Sequence, residues 1–300
     1  MNLQAVLYNV IRKALSQEQR GRIKRYQHRF RNKLQWYYRA RHGTFTVDEL
    51  ERELSCRIGS NFEILMVHSS FDGMIPMFRG SVSDLKTMLI GLCRPDKTLA
   101  MPAFFFGGVD YDSVRYYRKK PVFDRRKTPS QMGLLTELFR RHPGVLRSLH
   151  PTHSVCALGP LAGELTGDHH LDPYGCGRDS PFDVMDRHRT VILGLGVPYF
   201  RCLTHIHYAE QLLGDQFPVP HREDTVQVVL KDGEQNELDY RLRVKVFEGQ
   251  RRIERLGTMM SQDDMVIWRF HGVPMFAVSA GKVTRALIDH AKKGLSIYST

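Results

Sequence analysis

The sequence predicts an α/β protein: a mixed central sheet flanked by helices, an antiparallel C-terminal portion and an N-terminal basic helical arm. Three observations carry that expectation. Short apolar runs alternate with helical stretches from residue 44 onward, and two longer strand patterns follow one another after residue 216. The first 43 residues hold eleven Lys/Arg against a single acid, Glu18.

In the arm, Leu3, Val6, Leu7, Val10, Ile11, Ala14 and Leu15 recur at spacings of three and four, one apolar helical stripe. Ile23, Tyr26, Phe30, Leu34 and Tyr37 repeat the pattern among arginines, and Gly43 is its expected stop. Residues 1–43 carry a net +10 and residues 44–300 only +2, so the arm is read as one unit and 44–300 as the main domain. That imbalance argues against a general nucleic-acid surface. It leaves three roles open for the arm: packing on the main domain, a homodimer contact, or peripheral attachment to an anionic membrane.

The main domain opens with the strand "EILMVHSS", a helix near 81–93 and the strand "KTLAMPAFFF". A helix in "SQMGLLTELFRRH" precedes the strand "HSVCALG", and "TVILGLG" leads to a helix starting near Thr204. "DTVQVVL" and "YRLRVKVF" read as antiparallel strands joined through "KDGEQ". The segment from Met265 onward reads as two more strands and a closing helix.

At 300 residues, 42% hydrophobic and 25% charged, the chain is able to bury a large core, which excludes disorder throughout. Five widely spaced cysteines without any CxxC argue against a disulfide framework and a thiolate zinc site, and favour a reducing compartment. No apolar run approaches the ~20 residues of a membrane span, and the early apolar stretch has its basic residues after it, unlike a secretory signal. The expected location is the cytoplasm, with the inner face of the membrane as the arm's alternative.

Three catalytic motifs fail on inspection. "LGLGVPYF" begins like a dinucleotide fingerprint but has Tyr199 at its third glycine position. "SAGKVT" has Phe276 where a P-loop needs glycine, and no GxSxG nucleophile elbow occurs. The histidines are more informative: eight of fourteen lie between residues 142 and 207, in loops following strand ends, where α/β sheets place ligands. "DHHLD" sets Asp168, His169, His170 and Asp172 together before the turn glycines Gly175 and Gly177. "THIHYAE" puts Thr204, His207 and Glu210 on one helical face. A carboxylate beside an imidazole makes a general base. The spacing lacks HExxH, so no metal is expected. Taken singly, any of these histidines is as readily a hydrogen-bonded core residue.

In order, "VHSSFDGM", "TLAMPAFFF", "FDRRKTPSQMGLLTELFRRHPGVLRSLHPTHSVCALGPLA", "DHHLDPYGCGRDSPF", "VILGLG" and "THIHYAE" resemble the blocks of the aminoglycoside 3-N-acetyltransferase family. The resemblance is strong over residues 60–212 and looser beyond. It implies an α/β fold, acetyl-CoA as cosubstrate and an amine acceptor. It implies His169 as the base, with His170 standing where the family commonly has proline, and Asp172 and Glu210 orienting the ring. His68, Ser69 and Ser70 would lie near the coenzyme, with Thr128, Ser130, Arg147 and Ser154 as further contacts. Two departures, the basic arm and "FDGMIPMFRG" in place of a glycine-rich run, bear on the acceptor.

The expected chemistry is direct acyl transfer in a ternary complex; the competing route, a ping-pong reaction, would use Cys176. Because residues 44–300 are nearly neutral, the preferred acceptor is an amino sugar in a nucleotide- or lipid-linked precursor of a surface polysaccharide. Aminoglycoside modification is the alternative within the enzyme class. A non-catalytic sugar- or membrane-binding module is the alternative outside it.

Overall fold

The computed structural model describes residues 34–108, 111–234 and 236–299. The chain divides into two units at residues 44 and 45. The expected apolar stripe over residues 3–15 and most of the second one lie outside the described residues. The end of the latter is helix α1, Gln35–His42, which stops at Gly43.

The second unit begins with helix α2, Val47–Ile58, capped reciprocally by Thr46 and Glu49. Strand β1 (Ile64–Ser69), the short helix α3 (Phe71–Met74), helix α4 (Val82–Cys93) and strand β2 (Thr98–Pro102) follow. Ser81 and Asp84 close the same kind of capping box on α4. Next come α5 (Ser113–Lys119), β3 (Val122–Asp124), α6 (Leu134–Arg140), β4 (Leu146–Arg147), β5 (Val155–Leu158), α7 (Ala162–Gly167), α8 (Pro181–Arg187), β6 (Thr190–Leu195) and α9 (Ile206–Leu213). The last part holds β7 (His221–Lys231), β8 (Glu237–Phe247), β9 (Gln250–Arg251), α10 (Leu256–Met259), β10 (Met265–Phe270), β11 (Val273–Ser279), α11 (Ala280–Ala291) and β12 (Tyr298–Ser299).

The central sheet has the order β10-β11-β6-β1-β2-β5-β4. Its middle strands β6, β1 and β2 are parallel, and the flanking pairs are antiparallel. Burial on both faces explains why β1 reads as an unbroken apolar run from Ile64 to Val67. Ile64, Met66, Ala100, Ile192 and Phe276 anchor one core on this sheet. The expected strand at "KTLAMPAFFF" ends at Pro102, yet Ala103 and Phe105 still donate backbone hydrogen bonds to Ser154 and Thr152 (2.8 and 3.0 Å). Residues 103–106 and 150–154 are thereby tied together beyond the strand ends.

The expected antiparallel pair is β7–β8, but β7 also pairs in parallel with the three-residue β3. Val226, Val228 and Leu230 alternate inward from β7 and meet Tyr240 and Leu242 of β8, with Phe123 and Tyr117, in a second core. Gly194 of β6 shows why "LGLG" is not a nucleotide loop. A Cβ there would fall 1.9 Å from Cε1 of Phe276, so the glycine makes room for an aromatic ring on β11.

Candidate active site

The loop bearing the two adjacent histidines enters a single 3₁₀ turn, His169–Leu171, which sends successive side chains in different directions. His169 is fully buried. Its Nε2 lies 3.0 Å from the Gly175 carbonyl, which only accepts, so Nε2 carries the proton. Its Nδ1 then accepts from the Ser148 hydroxyl at 2.7 Å, while that hydroxyl accepts the Val155 N–H at 2.8 Å. Both ring nitrogens are engaged, and burial drives the His169 pKa down to about 3. His170 points outward, with Nδ1 3.2 Å from the Gly167 carbonyl.

The expected carboxylate for this pair is engaged elsewhere. Asp172 accepts the N–H groups of Tyr174 (3.0 Å) and Gly177 (2.6 Å), closing the loop on itself. Burial pushes its carboxyl up against the opposing pull of those donors. Gly175 sits at φ +93°, and a Cβ there would meet the rings of His150 and His153 at 2.6 and 2.9 Å. The loop therefore lies directly on two histidines from the β4–β5 connection. His150 stacks on His169 with centroids 4.6 Å apart. Its Nδ1 accepts the backbone N–H groups of Thr152 and His153, leaving a buried Nε2–H with no hydrogen-bond partner among the described residues.

The imidazole–carboxylate pair is instead on α9, where the spacing of three places His207 and Glu210 together: Nδ1 to Oε2 is 2.7 Å. Glu210 is buried, and its second oxygen accepts the Tyr298 hydroxyl at 2.9 Å. Arg251 lies 3.5 Å from the carboxylate and also donates to the Tyr298 oxygen. Burial opposes the charge of Glu210, but His207, Arg251 and Tyr298 outweigh it and hold the carboxyl below its ordinary value. The His207 ring is 23% exposed and its Nε2 makes no hydrogen bond among the described residues. The His153 ring stands 6.5 Å away, edged by Phe104 and Phe106 at 5.3 and 5.2 Å. Thr204 donates to the Cys202 carbonyl, and its own carbonyl accepts the His207 N–H.

Cys176 is buried, and burial with the neighbouring Asp172 and Glu210 raises its thiol well above the ordinary value. Of the expected coenzyme contacts, Arg147 is almost fully buried and donates to Ser154 Oγ and the carbonyls of Arg125, Thr128 and Ala103. The Ser154 hydroxyl donates to the Ala103 carbonyl at 2.9 Å. Thr128 accepts the Asp124 N–H and Ser130 accepts the Met132 N–H. Arg147 and Ser154 form an internal clamp, Thr128 and Ser130 close local turns, and helix α6 begins at Leu134 instead of directly after Ser130. Ser70 caps α3. His68, 4% exposed, makes no hydrogen bond among the described residues, and burial lowers its pKa to about 4. Beside it, Ser69 is part-exposed at the end of β1.

Among the described residues, no group of three or more His, Cys, Asp or Glu converges as a metal site. No described helix is long and apolar enough to cross a membrane. Sequence reasoning missed His153, Tyr298 and Arg251. His153 was visible only as one of the crowded histidines, while Tyr298 and Arg251 carry no local signal because their partner is far away in the chain.

The model of the aminoglycoside 3-N-acetyltransferase family matches residues 66–292. Aminoglycoside N(3)-acetyltransferase III of Pseudomonas aeruginosa is 31% identical over 159 residues, covering 50% of this chain and 58% of that protein. Aminoglycoside N(3)-acetyltransferase IX of Micromonospora chalcea is 27% identical over 180 residues, covering 57% and 63%. The alignments thus span about three-fifths of these relatives' length. Among solved structures, aminoglycoside acetyltransferase AAC(3)-Xa superposes with a TM-score of 0.71 at 21% identity, covering 87% of this chain and 98% of that one. AAC-IIIb in a binary complex with CoASH gives 0.66 at 23%, covering 86% and 100%. AAC-VIa bound to sisomicin gives 0.66 at 20%, covering 82% and 97%. These likenesses establish the fold.

Proposed function

The chain belongs to the aminoglycoside 3-N-acetyltransferase family, and from that premise we propose that it moves an acetyl group from acetyl-CoA to an amine of an aminoglycoside. The observation that carries the reading is the His207–Glu210 pair, with a carboxylate on Nδ1 and an unengaged Nε2 at a part-exposed edge. The solved neighbours with CoASH and with sisomicin support the donor and the acceptor class. The relatives' names favour an aminoglycoside over the polysaccharide precursor expected from charge.

A protonated amine has no lone pair, so acyl transfer requires a base at the moment of attack. With Glu210 holding the Nδ1 proton, His207 presents Nε2 as acceptor. Nε2 takes a proton from the bound ammonium, the freed lone pair on nitrogen bonds to the thioester carbonyl carbon, and the C–S bond breaks as the imidazolium protonates the departing sulfur of coenzyme A, while the excess proton left on nitrogen passes through Nε2 to solvent. Glu210 then faces an imidazolium, whose charge it offsets. In this reading His169 and Asp172 shape the loop behind the base. His68 and Ser69 are the proposed contacts for the amide groups of the coenzyme arm, since an unpartnered buried ring and an adjacent hydroxyl suit such groups. The buried, protonated Cys176 disfavours an acyl-enzyme.

The test is coenzyme A release from acetyl-CoA with sisomicin, gentamicin and glucosamine as acceptors. Turnover with an aminoglycoside, lowered about 10² to 10⁴-fold by His207→Ala, is expected. Release with glucosamine alone overturns the acceptor assignment, and release with none of the three overturns the transferase reading.

A further inference from the structure

A carboxylate buried as Glu210 is tends to take up a proton, and its O–H would then donate to the facing Nδ1 of His207. The ring proton would move to Nε2, and the acceptor would be gone. What opposes this comes from far along the chain. Strands β9 and β12 pair with Arg251 directly opposite Tyr298, which sets both side chains on one face. The Arg252 N–H donates to the Ile297 carbonyl and Arg255 Nη1 to the Tyr298 carbonyl, both at 2.6 Å, so the short ladder is held at either side. From it the donors all point one way: Arg251 Nε to the Tyr298 oxygen at 2.9 Å, then the Tyr298 hydroxyl to Glu210 Oε1 at 2.9 Å, with Arg251 Nη2 3.5 Å from Oε2. A chain of this kind polarises each member toward the anion. The other titratable groups beside Glu210 are His207 on α9, the Cys176 thiol in the loop before α8, and His290 on α11, with His153 beyond His207. Arg251 is the permanent cation among them.

We propose that Arg251 and Tyr298 are positioning residues: acting through Glu210, they fix which nitrogen of His207 carries the proton, so the β9–β12 ladder belongs to the active site without touching a substrate. The inference rests on the reading of His207 as the base. It differs from a packing role in one respect, since packing sets how much enzyme is competent and not the pH at which competence is lost.

The pH profile of kcat/KM for acetyl transfer to sisomicin, measured on the full chain, is the first test. Without the guanidinium the imidazole–carboxyl pair takes up its proton more readily, so Arg251→Gln should move the acid limb up by about one pH unit. Activity lost near neutrality should return in alkali. Tyr298→Phe keeps the ring against Phe217 and Phe247, with centroids 6.0 and 5.4 Å apart, and removes only the hydroxyl. It should shift the limb the same way by less. Arg251→Lys, which restores the charge, should bring the limb most of the way back. Nitrogen-15 spectra of the histidine rings read the same event without either substrate, with His207 assigned by its loss in His207→Ala. In alkali both proteins should show Nδ1 protonated and Nε2 bare, and as pH falls Arg251→Gln should leave that form about one unit earlier. A limb that stays in place while the profile loses height, or ring nitrogens that titrate in Arg251→Gln as in the unaltered chain, overturns the proposal. A shifted ring response in a protein with no turnover supports the ladder's role and counts against the transfer reaction alone.

Discussion

At the scale of single residues, hydrogen-bond direction distinguishes His207, the proposed base, from His169. His169 gives its proton to a carbonyl and its lone pair to a serine, so nothing is left to receive a proton from a substrate. His207 donates its Nδ1–H to the Glu210 carboxylate, and its Nε2 makes no hydrogen bond among the described residues. His207→Ala should reduce kcat/KM by about 10² to 10⁴ with little change in melting temperature, as measured by coenzyme A release beside calorimetry. His169→Ala should do the reverse in stability, leaving the Ser148 O–H donor and the Gly175 carbonyl without their partner ring at a cost of about 1–3 kcal/mol each. If His207→Ala retains full turnover, the base is elsewhere. Cys176→Ala should keep turnover within about twofold and show no change in pre-steady-state burst, because a buried neutral thiol is no nucleophile.

At the scale of elements, close packing sets the tolerance of the sheet. Gly194→Ala would drive a methyl into the ring of Phe276, and either strand β6 or β11 must move. We expect a loss of about 3 kcal/mol in urea denaturation, near the upper end for overpacked cores, and Phe276→Leu in the same chain should restore part of it. An additive double mutant would show that the contact is not the cause. Elements with strong periodicity were legible in the sequence: β1, α4, β6 and the terminal β10–β11–α11 unit follow from their own apolar spacing. Strand β3 was not, since Val122, Phe123 and Asp124 give no period and pair only because β7 lies alongside. The site was half legible. His207 and Glu210 are three apart on one helix, and local spacing suffices to join them. The tandem histidines suggested partnership with the aspartates beside them, but a 3₁₀ turn separates their directions and backbone N–H groups claim Asp172. In "LRSLHPTHS" the Arg147 guanidinium and the Ser154 hydroxyl bond internally, an arrangement that composition alone does not distinguish from a ligand surface.

At the scale of the whole molecule, buried neutral imidazoles make stability depend on pH. His68, His150 and His169 are all buried with pKa values held below the ordinary 6.5 by desolvation, to about 4 for His68 and about 3 for His169. Between those values and 6.5 the unfolded chain binds more protons than the folded one, so stability rises with pH through this window and falls as acid is added. Each such group contributes a slope of up to about 1.4 kcal/mol per pH unit. Denaturant titrations from pH 7 to pH 4.5 should show steep destabilisation, shallower in His68→Phe; a flat profile would mean that these rings are already hydrated. The reach of Tyr298 back to Glu210, across 88 positions, bears on synthesis. A polypeptide emerging from the ribosome exposes this carboxylate long before its phenol exists. Any shorter form that lacks Tyr298 leaves Glu210 Oε1 without this donor, so the carboxylate beside His207 is fully held only once residue 298 has packed against it.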